Sequence, residues 1–159
     1  MPVAARIEEV RTLVAELSEA SPTAHVFMQK MVKLLHERML KYNWVGFYML
    51  EPGAQPPMLL LDAFEGAMTP HTRIPLNQGI CGAAASSGRT VIVDDVSKDP
   101  RYLACSLETK SEIVVPIFVN KKLAAELDIE SYFADTFTKS EQEFVEACAN
   151  VLANHLTRA

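Results

Sequence analysis

The spacing of apolar residues changes at Asn43, and no other feature constrains the fold as strongly. Before Asn43, apolar side chains recur every three or four residues, which predicts one helix over 3–20 and a second that runs to about Tyr42. Ser21 is expected to cap this second helix, with Pro22 at its first position. After it, shorter apolar or alternating segments predict strands over 44–50, 58–64, 90–94, 112–119 and 123–130. Helices at both ends of hairpin-linked strands indicate an α+β domain with an antiparallel sheet.

Two long loops and one more helix complete the expected organisation. Residues 65–79 are expected to form a loop or a short irregular strand, and 95–111 a second loop. A capping box from Thr138 to Glu141 opens the last helix. We therefore expect one domain over 1–159, in which 1–42 form the N-terminal helices, 43–131 the sheet and pocket, and 138–157 the C-terminal helix.

Charge and composition exclude several classes of protein. Fifteen basic and twenty acidic residues give a formal charge of −5, which argues against binding to nucleic acid or to an anionic membrane. The apolar runs are too short for a membrane span, and the N-terminus does not resemble a signal peptide. Isolated cysteines suit the reducing cytosol, so we expect a cytoplasmic protein.

The sequence predicts neither a metal centre nor a cofactor. The four histidines are not paired at ligand spacing, and the three cysteines form no CxxC motif. Glycine-rich motifs of nucleotide-binding proteins and the GxSxG motif of serine hydrolases are absent as well.

The three cysteines differ in their expected surroundings. Cys148 lies on an apolar helix face, where an inert buried thiol is the usual outcome. Cys81 lies close to the start of a short helix that opens at Gly79, and the helix N-terminus should lower the pKa of its thiol. Cys105 lies in the second long loop. Taken alone, a cysteine in either of these two positions is more often structural than catalytic.

Alternation along 123–130 places three carboxyl groups on one face of a strand, namely Glu126, Asp128 and Glu130. On an exposed face they would simply be solvated. The partner strand 112–119 has the apolar composition of a buried strand, and a pocket on the acidic face should raise the pKa of at least one carboxyl. Such a cluster, which Glu112 could join, and the loop residue Cys105 would form an acid and a nucleophile.

Seven short motifs occur in a recognisable order. They are Asn43-Trp-Val-Gly-Phe-Tyr48, Phe64-Glu-Gly66, Arg73-Ile-Pro75, Gly79-Ile-Cys-Gly82, Ala104-Cys105, Ser111-Glu-Ile-Val-Val-Pro116 and Leu127-Asp-Ile-Glu-Ser131. Together they resemble the free methionine-(R)-sulfoxide reductases, a branch of the GAF-domain superfamily. The resemblance covers 43–131 and, more loosely, the flanking helices.

This resemblance implies a six-stranded antiparallel GAF sheet flanked by N- and C-terminal helices, a homodimer and a small enclosed pocket. It implies that Cys105 is the catalytic cysteine and that Cys81 assists it. It also implies a set of substrate-binding residues, which are Glu112, Asp128, Glu130, Trp44 and Tyr48. In the implied reaction, a thiolate attacks the sulfoxide sulfur, a sulfenic acid and then a disulfide form, and thioredoxin or a similar dithiol reduces the disulfide.

Three positions depart from the family pattern. His71 stands where the family usually has its resolving cysteine. Glu130 replaces an aspartate, and Glu126 replaces an apolar residue and should add negative charge to the pocket or its rim. The departures at 71 and 126 leave three interpretations open: a two-cysteine reductase recycled by Cys81, a non-catalytic GAF module that binds a small ligand, and a GAF dimer with an empty pocket.

Overall fold

The computed structural model describes residues 2–103 and 107–158. Its elements, in chain order, are α1 (Val3–Ala20), α2 (Ala24–Arg38), β1 (Trp44–Leu50), β2 (Met58–Glu65), β3 (Arg73–Pro75), α3 (Gly79–Ser87), β4 (Val91–Val93), a 3-10 turn (Val96–Lys98), β5 (Ser111–Val119), β6 (Lys122–Ser131) and α4 (Lys139–Arg158). The strands form one six-stranded sheet in the order β3-β2-β1-β6-β5-β4. Every neighbouring pair is antiparallel, which confirms the predicted α+β class.

The β5–β6 hairpin sets the register at the centre of the sheet. It turns at Asn120 and Lys121, which have φ values of 52° and 65°. Two consecutive positive φ values are typical of the tight turns whose twist matches that of the flanking strands. The register that follows places Glu112 opposite Glu130 and Val114 opposite Asp128.

Both faces of the sheet are covered. Helices α2 and α4 pack on one face, and α1 packs on both of them; the larger apolar core there includes Phe27, Phe47, Leu127 and Phe144. Helix α3 and its adjoining loops cover the other face, where a smaller cluster contains Trp44, Tyr48, Ile80 and Val114. From Ala125 to Ser131, the side chains of central strand β6 are therefore buried on whichever face they occupy.

The start of α2 differs from the prediction. The helix begins at Ala24, and its cap is Thr23, whose hydroxyl accepts a hydrogen bond from the Val26 backbone N–H. Ser21 is not the cap, because its hydroxyl donates to the Leu17 carbonyl at the end of α1. Ser21 and Thr23 are both residue types that cap helices, so the sequence alone does not show which of them caps α2. The path of the chain between α1 and α2 decides it. The helix ends at Arg38 rather than at about Tyr42.

The predicted short helix opens at Gly79, and its packing depends on that glycine. Gly79 has a φ of +70°, and a Cβ there would lie 2.9 Å from Cδ1 of Leu103. A larger residue would push the segment that includes Leu103 away from the helix. Gly79 thus allows α3 and that segment to close together over the sheet, with Cys81 in the first turn of the helix.

Candidate active site

Register alone brings most of the predicted site residues onto one face. In the β1–β6 pairing, Trp44 lies opposite Glu130, Gly46 opposite Asp128 and Tyr48 opposite Glu126. Because side chains alternate along a strand, the five side chains of these residues point to the face that α3 covers, where Gly46 leaves the backbone bare. Strand β5 adds Glu112 directly opposite Glu130. Strands β1, β6 and β5 thereby line up two aromatic and four acidic residues.

The acidic side chains are all buried. Glu126 and Glu130 are 0% exposed, Asp128 is 2% and Glu112 is 4% exposed. The usual fate of an acidic strand face, solvation, therefore does not occur here. Glu112, Asp128 and Glu130 each place a carboxylate oxygen within 4.8 Å of the other two. Three buried carboxyl groups at this spacing require compensation, either by a bound cation or by protonation of one of them.

Burial also changes the protonation of two of these groups. It raises the pKa of Glu126 to about 9, and the neighbouring charge of Asp128 adds to the effect. It raises the pKa of Asp128 to about 6, against the opposing effect of hydrogen bonds with Glu112 and Cys81. The prediction of a raised carboxyl pKa is confirmed. The expectation that Glu126 adds negative charge is wrong at neutral pH, because its carboxyl is protonated there.

Cys81 lies against these carboxyl groups. Its Sγ is 3.9 Å from Oδ2 of Asp128, and the residue is 4% exposed. Burial raises the pKa of the thiol, and the charges of Asp128, Glu126 and Glu112 raise it further. The predicted lowering by the helix N-terminus is therefore wrong. A helix end contributes about 0.3–1 kcal/mol, whereas full burial shifts a pKa by up to about 3–5 units.

The aromatic side of the site is built around Gly46. A Cβ at this position would lie 2.3 Å from Cη2 of Trp44, so the indole rests on the bare backbone. The indole Nε1–H donates to the Ala67 carbonyl at 3.0 Å, and the ring stacks on Phe64. Tyr48 follows on the same face, with its ring centroid 6.4 Å from that of Trp44. Both predicted wall residues therefore lie on the acidic face.

A small cavity lies between α3 and this face. Its lining includes Tyr48, His71, Cys81, Leu103, Glu112 and Asp128. The Tyr48 hydroxyl donates to the His71 carbonyl at 2.7 Å, which ties the β2–β3 loop to β1. The cavity volume is about 10 Å³, enough for about one water. This volume is smaller than that of a free amino acid.

Of the other two cysteines, the structure describes only Cys148. Cys105, the predicted nucleophile, lies outside the described residues, so its place relative to the cluster stays a prediction. Cys148 lies in the core on the opposite side of the sheet, where burial raises the pKa of its thiol to about 12. The prediction of an inert buried thiol at Cys148 agrees with this position.

Tyr102 is a site residue that the sequence analysis missed. Its hydroxyl donates to Oε1 of Glu130 at 3.0 Å, and it packs on the smaller apolar cluster with Leu103. Burial, with the charge of Glu130, raises the pKa of the phenol well above its ordinary value. An aromatic residue three positions before a candidate nucleophile was the available signal, but nothing local indicates that it reaches β6.

Comparison with known proteins identifies the family. The GAF domain model matches residues 23–156. A structure of a type II free methionine-R-sulfoxide reductase from Thermoplasma acidophilum is 37% identical, with a TM-score of 0.78 over 89% of this chain and 96% of that one. This chain belongs to the free methionine-R-sulfoxide reductase family of GAF domains. The sequence resemblance and the GAF fold it implied are thus confirmed.

Two further reductases show how far the likeness extends. The free methionine-R-sulfoxide reductase from Neisseria meningitidis, solved in complex with its substrate, has a TM-score of 0.92 at 29% identity over 99% of this chain and 93% of that chain. The reductase from Saccharomyces cerevisiae is 40% identical over 111 residues, which span 69% of this chain and 61% of the yeast protein. Within the described residues, we find no helix both long and apolar enough to cross a membrane.

Proposed function

We propose that this chain reduces free methionine-R-sulfoxide to methionine. The observation that carries the proposal is the buried cluster of Glu112, Asp128 and Glu130, whose carboxylate oxygens lie within 4.8 Å of one another. Buried carboxyl groups at this spacing lower the stability of the chain unless a cation or proton compensates them. Membership of the reductase family supports a free amino acid as the compensating ligand.

The proposed binding mode uses both sides of the site. The ammonium group of the substrate would bind the carboxylate cluster through charge-assisted hydrogen bonds, which are stronger than neutral ones. Trp44 and Tyr48 would contact the methyl and methylene groups. Glu130 is held by the Tyr102 hydroxyl, so one of its oxygens is already oriented before substrate binds.

In the proposed reaction, the Cys105 thiolate attacks the sulfoxide sulfur while a protonated carboxyl of the cluster gives a proton to the sulfoxide oxygen. The sulfur–oxygen bond of the substrate breaks, methionine leaves, and Cys105 becomes a sulfenic acid. The substrate sulfur is reduced and the cysteine sulfur is oxidised, so the electrons balance. The raised pKa of Asp128, about 6, supports a group that can hold and release this proton near neutral pH.

We further propose that Cys81 resolves the sulfenic acid, since His71 occupies the position of the family's usual resolving cysteine. Attack by Cys81 would release water and form a Cys81–Cys105 disulfide, which a thioredoxin-like dithiol would reduce.

We also propose that the chain acts as a single GAF domain over 1–159, as a homodimer, and in the cytoplasm.

The test is NADPH consumption with thioredoxin, thioredoxin reductase and free methionine-R-sulfoxide. The wild type should turn over, whereas Cys105→Ser should not. Cys81→Ser should release about one methionine per chain and then stop, because its sulfenic acid is not resolved. Cys148→Ser is the matched control and should keep turning over, since Cys148 lies on the other side of the sheet.

A non-catalytic ligand-binding module is the second candidate. It is favoured by His71 in the place of a cysteine and by Glu126 in the place of an apolar residue. Under this hypothesis, methionine sulfoxide or a similar cationic amino acid binds, and no methionine forms with either thioredoxin or dithiothreitol. Turnover with dithiothreitol alone would instead mean that Cys105 reacts and that thioredoxin recycling is lost.

A further inference from the structure

The sheet register assembles a set of metal-ligating side chains that no spacing in the sequence indicates. Glu112 comes from β5 and Asp128 and Glu130 come from β6, and each places a carboxylate oxygen within 4.8 Å of the other two. Two oxygens that bind one zinc ion at about 2.0–2.2 Å lie at most about 4.4 Å apart. The three oxygens therefore lie within about half an ångström of the separations that one ion requires.

Asp128 carries a buried oxygen that no described protein group satisfies. The residue is 2% exposed, and its Oδ1 has no hydrogen-bond partner among the residues that the structure describes. Its other oxygen, Oδ2, lies 3.9 Å from Sγ of Cys81. Buried polar atoms in native proteins are nearly always paired, and an unpaired one lowers stability. Oδ1 of Asp128 therefore points to a ligand in the cavity that this residue lines.

The space beside the cluster selects the kind of ion. The cavity that Glu112 and Asp128 line has a volume of about 10 Å³, which holds about one water. Ca²⁺ takes six to eight oxygen ligands and Mg²⁺ keeps several waters, so both need more than three carboxylate oxygens and one water. Zn²⁺ is commonly bound by three protein ligands and one water, and it binds a given ligand set more tightly than Mn²⁺. The cluster therefore matches Zn²⁺ in the number of ligands and in the room beside them.

The surroundings of the cluster hold two of these ligands in place. The Tyr102 hydroxyl donates to Oε1 of Glu130 at 3.0 Å. Metal-binding carboxylates are typically oriented by outer hydrogen bonds of this kind. The register of β5 and β6 fixes Glu112 directly opposite Glu130. Both residues are thus positioned before any ion binds.

We propose that Glu112, Asp128 and Glu130 bind a Zn²⁺ ion with one water as the fourth ligand, and that this ion and the ammonium group of the substrate exclude each other. The exclusion rests on the proposed function, whereas the zinc site does not. Both cations would use the same carboxylate oxygens, so they cannot be bound together. Zn²⁺ would therefore compete with methionine sulfoxide, and in the absence of substrate it would stabilise the folded chain.

The first test measures zinc binding without substrate. Zinc chloride is titrated by calorimetry at pH 7 into the Cys81→Ser, Cys105→Ser protein, in which neither of these thiols can bind the ion. We expect one ion per chain, and adding Asp128→Asn should raise the dissociation constant at least about tenfold, because one ligand is lost. Glu126→Gln is the matched control and should stay within about twofold, since Glu126 is a buried carboxyl of the same face outside the cluster.

Magnesium chloride should give no heat of binding in the same titration. Absence of zinc binding, or equal affinity with and without Asp128→Asn, would overturn the proposal. Circular dichroism verifies that each variant is folded.

X-ray absorption of the zinc-loaded wild type identifies the ligands without any substitution. Three carboxylates and a water predict a first shell of oxygen at about 2.0 Å, with no sulfur at about 2.3 Å. A sulfur shell would place the ion on cysteine and would refute the site.

A separate measurement tests the exclusion. Zinc-loaded and zinc-free wild type are mixed with methionine-R-sulfoxide without reductant, and the methionine formed is measured over time. At low substrate concentration, zinc should slow methionine formation about tenfold or more, and high substrate or EDTA should restore the rate. An unchanged rate with zinc bound would contradict the exclusion. If the zinc-free protein forms no methionine, the proposed function fails, while the calorimetric titration still decides the zinc site.

Discussion

Both faces of the sheet are buried, but their side chains differ in type and in the effect of burial on stability. The face under α2 and α4 carries apolar side chains such as Phe47 and Leu127, which form one core with Phe144 of α4. The face under α3 carries Glu126, Asp128 and Glu130 from the same strand β6. Burial of the first group stabilises the chain, whereas burial of the second destabilises it and changes protonation. Side chains one residue apart on β6 thus contribute with opposite signs.

The largest effect on stability is expected in the apolar core between the sheet and helices α2 and α4. Phe144 is 0% exposed in the main core, so Phe144→Ala leaves a cavity and should lower the free energy of unfolding by about 3–5 kcal/mol. Urea unfolding monitored by circular dichroism measures this change. A loss below about 1 kcal/mol would mean that this face tolerates truncation, and the contrast between the faces would fail.

The acidic face should make stability depend on pH. Burial raises the pKa of Asp128 from 3.8 to about 6 and that of Glu126 from 4.5 to about 9. The folded chain therefore holds more protons than the unfolded chain within these windows, and stability should fall as pH rises through them. Between pH 6 and 8, where Glu126 dominates, the slope should be about 1.4 kcal/mol per pH unit.

Glu126→Gln isolates this contribution, because its amide does not titrate. Its free energy of unfolding should vary less between pH 6 and 8 than that of the wild type. Urea unfolding at pH 6, 7 and 8 provides the comparison, with the reductant kept constant. Parallel pH profiles for the two proteins would show that Glu126 ionises normally.

Gly46→Ala tests the close approach on the aromatic side of the site. The new Cβ would lie 2.3 Å from the Trp44 ring, so the indole must move. We expect a loss of about 1–3 kcal/mol in stability and a shift in the fluorescence of this single tryptophan. Gly53→Ala is the matched control for fluorescence, since a Cβ at Gly53 would meet no atom within 4 Å. An unshifted spectrum for Gly46→Ala would contradict the packing described.

Tyr102→Phe should have the smallest effect. It removes the hydroxyl that donates to Glu130 but keeps the ring, so we expect about 1 kcal/mol lower stability. Under the proposed function, KM for methionine sulfoxide should rise several-fold while kcat changes less, because Glu130 loses its orientation before binding. Steady-state kinetics measure the split. A change in kcat alone would place Tyr102 in the chemical step instead.

Much of the fold was predictable because the relevant signals are local. Alternation over 123–130 correctly separates the acidic from the apolar face of β6, and the glycines at 79 and 88 bracket α3. The cap of α2 was not predictable, since Ser21 and Thr23 are both able to cap a helix. Tyr102 was missed for a similar reason, because its contact with Glu130 joins residues distant in the chain.

By itself, the sequence determined most of the strands and helices, the two faces of β6 and the family. It did so because hydrophobic period and motif order are properties of neighbouring residues. Only the tertiary structure decided the protonation of Cys81 and Glu126. Helix α3 and the adjoining loops cover the acidic face, and the resulting desolvation outweighs the helix end that would otherwise favour a thiolate at Cys81. Desolvation depends on elements brought together from distant parts of the chain, and no local pattern specifies it.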